Sequence, residues 1–269
     1  MSDEAQSTLL RSVRVLFGLA EAGRPMTVTR LATVLGLPAS TTHRILNVLK
    51  QADYVLQDEE TGTYSPGPAF LRVATVMVSS STFPASVNDA LRLLVDGSGE
   101  SAFYGAYLQQ VCRMRFIANL HSHHAIQYVM RTDQTYSVLW GASGRSIASQ
   151  LPEATLRLIY DREKDSGEGV ESLPDWETFW QRMLAMREQG YSVSDGQRYE
   201  GSHAIAAAVF GTDDAVIGCV GISMPLARRD PLKTERCIEL VNACAIQLTR
   251  AARSMAGRMQ DQDAGFAAR

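Results

Sequence analysis

Cysteine is scarce and poorly placed for any joint task. Cys112, Cys219, Cys237 and Cys244 are the four in 269 residues, and no two form a CxxC pair. Reduced, buried thiols are therefore expected rather than disulfides or a zinc knot. No run of apolar residues approaches the ~18 that a membrane span requires. The first residues also lack the basic and apolar segments of a signal peptide, so a cytoplasmic protein with no membrane partner is expected. A strong charge is missing as well: the formal net charge is −3, which excludes a polybasic nucleic-acid binder. There is no Gly-rich phosphate loop and no HExxH. Gly141-Ala142-Ser143-Gly144 has the outline of a hydrolase elbow, but the glycine required two residues after the serine is Arg145. Asp195 and His203 have no sequence reason to converge on Ser143. No catalytic residue, metal or cofactor is expected.

A local absence is more informative. Between residues 22 and 52 there is no Asp or Glu, while Arg24, Arg30, Arg44 and Lys50 fall inside that window. Residues 39–51 read as a helix, at about 100° per residue, with Ile45, Leu46, Val48, Leu49 and Ala52 on the core side. Ser40, His43, Arg44, Asn47, Lys50 and Gln51 lie on the other side. Such a face suits phosphates and base edges.

An earlier helix carries Leu9, Leu10, Val13, Leu16, Phe17 and Ala20 and ends at Gly23. A second, capped by Thr27, carries Val28, Leu31, Ala32 and Leu35 and stops at Gly36. Paired short helices with a tight glycine turn are a helix-turn-helix pattern. Tyr54–Asp58 and Thr63–Ser65, around Glu59-Glu60-Thr61-Gly62, read as the wing hairpin. The alternative is a helical bundle with an incidental hairpin.

The spacing predicts a helix over 69–80, with Phe70, Val73, Ala74 and Met77 on one face, and a break at 79–84. A further helix ends at Gly97-Ser98-Gly99. Strands are expected at 101–108, 112–118, 125–130, 191–193, 203–210 and 215–223. Helices are expected from 144, 152, 176 and 230. Strands in mid-domain with helices on either side indicate an α+β fold. The expected organisation is a DNA-binding domain over 5–68, a linker helix over 69–84, an effector domain over 85–258 and a flexible tail over 259–269.

Several stretches, in order, are similar to the IclR family of bacterial transcription regulators. They are Leu35-Gly36-Leu37-Pro38-Ala39-Ser40-Thr41-Thr42-His43-Arg44-Ile45-Leu46, Tyr64-Ser65-Pro66-Gly67-Pro68, Ala142-Ser143-Gly144-Arg145-Ser146, Gly190-Tyr191, Gly201–Phe210 and Gly221-Ile222-Ser223. The resemblance implies a winged helix-turn-helix, a linker helix and a GAF-like effector-binding domain with a mainly antiparallel sheet. It implies a homodimer or homotetramer on double-stranded operator DNA, controlled by a small organic acid, with repression and activation both open. A sensor whose N-terminal domain binds protein is the alternative, and the acid-free face argues against it.

For DNA the candidates are Ser40, Thr41, His43, Arg44, Asn47 and Lys50. Arg44 is suited to guanine and Asn47 to adenine, while a phosphate or an intradomain carboxylate remains open for Arg44. Ser40 is read as a helix cap that also reaches a phosphate, and Lys50 as a phosphate contact or a solvated cation.

For the effector, the resemblance implies Trp140, Gly141, Ala142 and Ser143 at a helix start. It adds the region of Ser194, Ser202, His203 and Ala204, and the strand with Gly221 and Ser223. Members that bind small oxoacids carry Asp, Cys and Ser where this chain has Ser194, Ala204 and Gly221. The exchange implies an aromatic or larger apolar carboxylate, with Trp140 beside it unless Trp140 is simply core. His121, in His121-Ser122-His123-His124, is open between ligand contact, metal and a solvated loop.

Overall fold

In the computed structural model, which describes residues 3–80 and 82–267, helical periodicity in the N-terminal third produces α1 (Asp3–Ala22), α2 (Val28–Leu35) and α3 (Ala39–Gln51). The Thr27 hydroxyl accepts from the Arg30 N–H at 3.4 Å and starts α2. Gly36 ends α2 at φ 64°, a left-handed conformation, while the Leu37 N–H reaches back to the Ala32 carbonyl at 3.0 Å. This i→i−5 closure is a Schellman turn, and it sets the direction of α3. The strands β1 (Val55–Gln57) and β2 (Tyr64–Pro66) pair antiparallel. Met26 exchanges both backbone hydrogen bonds with Tyr64 at 2.8 and 2.9 Å, fastening the hairpin to the turn before α2. Val15, Leu19, Leu31, Ile45, Leu46, Val55 and Tyr64 form the buried core of this unit. The helix α4 (Pro68–Ser80) follows, and the chain divides into units Met1–Ser81 and Thr82–Arg269.

Four of the apolar residues that marked α1, and two of those read as inward on α3, are exposed. On α1, Val15 and Leu19 are buried, whereas Leu9, Leu10, Val13 and Phe17 are exposed. On α3 the buried stripe is centred on Thr42, Ile45 and Leu46, so Val48 and Ala52 lie outside it. The reason is that Val15 and Leu19 of α1 and Leu31 of α2 share one core with Ile45 and Leu46. The helix expected over 69–80 forms, with Val73 exposed, while the side chains of Ala74 and Met77 lie outside the described residues. Of the break expected at 79–84, residues 79, 80 and 82–84 are helical and residue 81 lies outside the described residues.

In the second unit, α5 (Thr82–Ser98) precedes β3 (Ser101–Leu108) and β4 (Arg113–Leu120). Then come α6 (Gly141–Ala148), α7 (Glu153–Glu163), α8 (Trp176–Gln189), β5 (Ser192–Asp195), β6 (Ser202–Phe210), β7 (Val216–Pro225) and α9 (Pro231–Ala267). The five strands form an antiparallel sheet in the order β4-β3-β7-β6-β5. Alternation along each strand divides the core in two. Ala102, Tyr104, Ile205, Ala207, Val220 and Ile222 pack with α5 and α9. Phe103, Phe116, Ala206 and Cys219 face the side that carries Trp140, α6, α7 and α8.

The strand expected at 125–130 does not form. That segment is held by side chains instead: Ser101 Oγ accepts from the Ser122 N–H at 3.1 Å, and Asn119 Nδ2 donates to the Met130 carbonyl at 3.2 Å. The last helix continues to Ala267, through all the described residues of the stretch expected as a flexible tail.

Glu100 is fully buried where α5 turns into β3, held by Arg228 at 2.6 Å and Lys233 at 2.6 Å. Burial pushes its carboxyl pKa up, but the two cations outweigh burial and hold it below the usual value. A depressed carboxyl contributes stability that is complete above the unfolded pKa and is lost as pH falls through the folded one. Glu100→Gln is expected to cost about 1–3 kcal/mol, since both cations are partly solvated, and to flatten the acid limb of a pH–stability curve. An unchanged urea midpoint at pH 7 contradicts this.

Candidate nucleic-acid interface and ligand site

The helix α3 starts after Pro38, whose side chain cannot cap it. The Pro38 carbonyl accepts instead from the Thr42 N–H at 3.0 Å and its hydroxyl at 3.1 Å. Ser40 is therefore the second helical residue, and the cap role expected for it is not filled. Ser40, His43, Arg44, Asn47 and Lys50 are exposed and Thr41 is half-buried, so the six candidates share one accessible side. His43 Nδ1 and Asn47 Nδ2 meet at 3.4 Å, one turn apart. Lys50 donates to the Gln57 side chain at 2.9 Å, tying the helix end to the wing. Among the described residues Arg44 has no ion-pair partner, which removes the intradomain carboxylate as its role. Val48, 61% exposed, lies on the same side as Thr41 and Arg44, whereas periodicity had assigned it to the core.

The wing turn is set by Asp58, whose side chain accepts from the backbone N–H groups of Glu60 and Thr61, both at 2.9 Å. These bonds, with Thr61 the stronger influence, hold its carboxyl below the usual range. Gly62 closes the turn at φ 64°.

In the second unit the register brings part of the expected ligand set together. Ser194, Ala204, Ser223 and Ser101 form one row across β5, β6, β7 and β3, and Ala206, Gly221 and Phe103 form the next. The helix α6 packs over these small residues. Trp140 precedes it in an extended conformation and offers no side-chain cap, so Ser194 supplies one from across the sheet. Its hydroxyl accepts from the Ala142 N–H at 3.0 Å. Gly141 has φ 73°, and Ser143 is buried in the first turn. The hydroxyls of Ser143 and Ser223 make no hydrogen bond to any described residue. Ser202, at the start of β6, donates to the Tyr199 carbonyl at 2.6 Å.

Three expectations require correction. His203 is not in this site, because strand alternation puts it on the α9 side. There Nδ1 meets Asp195 at 2.5 Å, and Asp195 is also held by Arg229 at 2.7 Å. Asp195 and His203 pair with each other on the face opposite Ser143, so the described residues contain no Ser-His-Asp array there. Gly221 leaves no room for a ring: an added Cβ would lie 2.3 Å from the Ile205 carbonyl oxygen and 2.7 Å from the Phe103 ring. Trp140 is buried and donates to the Glu171 carbonyl at 3.2 Å. It lines a cavity of about 330 Å³ with Tyr160, Lys164 and the 165–173 loop, and none of the sheet candidates borders that cavity. His121 is exposed, as are His123 and His124, and no metal-binding group of three such side chains occurs among the described residues.

Two functional candidates were missed. Arg145 donates through Nε to the Leu139 carbonyl at 3.1 Å, and burial, then Arg182, pull its pKa down to about 10. Arg198 donates through Nη2 to the carbonyls of Ser137 at 2.7 Å and Trp140 at 2.6 Å. Burial lowers its pKa too. The only sequence signal for Arg198 was an arginine in the glycine-flanked stretch Gly196–Gly201.

Residues 8–59 match the family model described as the IclR helix-turn-helix domain, and residues 78–250 match bacterial transcriptional regulator IclR C-terminal. The chain is 25% identical over 221 residues to the transcriptional repressor IclR of Escherichia coli, covering 82% of this chain and 81% of that one. An IclR transcriptional regulator from Alicyclobacillus acidocaldarius superposes with TM-score 0.76 at 23% identity, over 91% of this chain and 98% of the other. An IclR homolog from Microbacterium hydrocarbonoxydans, complexed with 4-hydroxybenzoate, gives TM-score 0.70 at 18% identity, over 92% and 99%. The chain belongs to the IclR family, and is a transcription regulator with a DNA-binding helix-turn-helix and a C-terminal effector domain rather than an enzyme.

Packing around Gly221 generates one test. Gly221→Ala is expected to destabilise the second unit by about 1–3 kcal/mol, as overpacking does. A melting temperature equal to that of the unaltered protein would show that the sheet yields there.

Proposed function

On the premise of membership in this family, we propose that the protein reads operator DNA through α3 and is controlled by a small organic acid bound beside α6. The observation that carries the DNA reading is the exposed, carboxylate-free face of α3, with Arg44 free of any ion pair to a described residue. Arg44 forks onto guanine and Asn47 contacts adenine, while Ser40, Thr41, His43 and Lys50 position the helix on phosphates and neighbouring edges. Reading a two-fold operator requires two such helices, about one helical turn of DNA apart or a multiple of it. The stripe of Leu9, Leu10, Val13 and Phe17, exposed at i, i+4 and i+8 spacing on α1, supports a homodimer, itself able to pair into a tetramer. Such a complex works in the cytoplasm, and among the described residues no helix is long and apolar enough to cross a membrane.

The effector is an aromatic or otherwise apolar carboxylate. Supporting this are Ser194 and Ala204 in place of more polar groups, and the 4-hydroxybenzoate bound by the Microbacterium homolog. Gly141, Ala142, Ser143, Ala204 and Ser223 border this site, with Ser202 and His121 at its rim, in a GAF-like domain. The acid acts by favouring one arrangement of the dimer, with 69–84 as the linker.

Arg44→Ala is expected to weaken specific operator binding by about 10- to 100-fold, equivalent to one bidentate base contact, with an unchanged melting temperature. Equal affinity for operator and scrambled DNA before and after the substitution contradicts it. Operator affinity is also expected to fall steeply as salt rises, because bound counterions are released. A salt-independent gel shift sinks the DNA reading. In a thermal-shift panel benzoate-type acids are expected to stabilise the protein more than glyoxylate or pyruvate, and the reverse order overturns the aromatic assignment.

A further inference from the structure

Three arginines surround the segment 137–140 that leads into α6, and they are not equivalent. Arg113 is neutralised by Glu168 and by Glu163, the latter at 3.2 Å. Among the described residues Arg145 and the half-buried Arg198 hydrogen-bond only to backbone carbonyls. Taking a cation out of water without a counter-charge is costly, and carbonyl dipoles offset that only in part. The Tyr136 ring, 5.0 Å from the Arg198 guanidinium carbon, adds a cation–π contribution. Arg198 Nε is still enclosed with no acceptor. Glu168, the carboxylate that acts on it, is already committed to Arg113 and the Ser137 N–H.

The position of this unbalanced cation matters as much as its charge. An added Cβ on Gly141 would lie 3.4 Å from Arg198 Cβ and Nε, so the arginine side chain lies along the first residue of α6. The backbone N–H groups of that turn favour an anion in the same place. The loop carrying Arg198 is fastened to two others, through Tyr128 Oη to the Glu200 carbonyl at 2.8 Å and the Val170 N–H to the Gln197 carbonyl at 3.0 Å.

We propose that Arg198 is the cation that receives the carboxylate group of the effector, beside the first turn of α6. The inference rests on the organic-acid reading above and gives it a residue. The acid supplies the counter-charge that the fold withholds, and Arg198 transmits its arrival to the loops around Tyr128 and Val170.

The test uses the full-length protein, Arg198→Gln and Arg198→Lys. Calorimetric titration is made with benzoate, 4-hydroxybenzoate, glyoxylate and pyruvate, and with benzamide as the uncharged counterpart of benzoate. The acid that binds the unaltered protein is expected to bind Arg198→Gln at least ~10-fold more weakly, with part of the loss restored in Arg198→Lys. Benzamide binding is expected to be the same in all three. Equal acid affinity in the unaltered protein and Arg198→Gln overturns the assignment and leaves the effector reading standing. A panel in which no acid binds the unaltered protein overturns both. A lower melting temperature without ligand, with the acid-over-amide preference intact, assigns Arg198 a purely structural role and overturns the proposal.

Discussion

Everything around the candidate ligand site depends on how closely a short helix approaches the sheet. The eight residues of α6 are all buried, against strand positions occupied by Ala204, Ala206 and Gly221. A Cβ on Gly144 would lie 2.8 Å from the Val138 carbonyl oxygen, so the helix also lies hard against its own lead-in segment. At that distance a bulky strand residue would force the layers apart, since protein interiors are packed too tightly to absorb it. The same closeness lets a hydroxyl on β5 cap a helix more than fifty residues away in the sequence.

Burial of that helix start carries an electrostatic consequence. The carbonyls of residues 137–140 point away from the sheet ladder and require donors, and guanidinium groups supply several at once. Arg145 and Arg198 meet that requirement, and neither has an ion-pair partner among the described residues. A hydrocarbon substitute would leave the carbonyls unpaired, and a carboxylate partner would fill the space. The structure is therefore stable and electrically incomplete at the point where an acid is expected to bind.

The DNA-reading helix obeys simpler physics. Its inner side is fixed by contact with α1 and α2 and its outer side by solvent, so hydrophobic periodicity and the missing carboxylates located it well. The margin between the two sides was less legible. Val48 lies there, and an apolar residue at a margin is assigned by the shape of its neighbours rather than by its own chemistry. Similarly, the apolar α1 residues were legible as helical, but not as exposed.

By itself the sequence determined the order of elements, the helix-turn-helix with its wing, the α+β character of the second unit and the family, because these follow from local periodicity, turn residues and ordered motifs. It also identified Ser194, Ala204 and Ser223 as candidates. Tertiary structure alone decided that these three share a row while His203, one residue from Ala204, faces away. A strand reverses its side chains at every step, and only register fixes which side is which. It likewise decided that Phe103 covers Gly221 and that Arg198 meets Gly141, contacts between segments whose separation in the chain leaves no local trace.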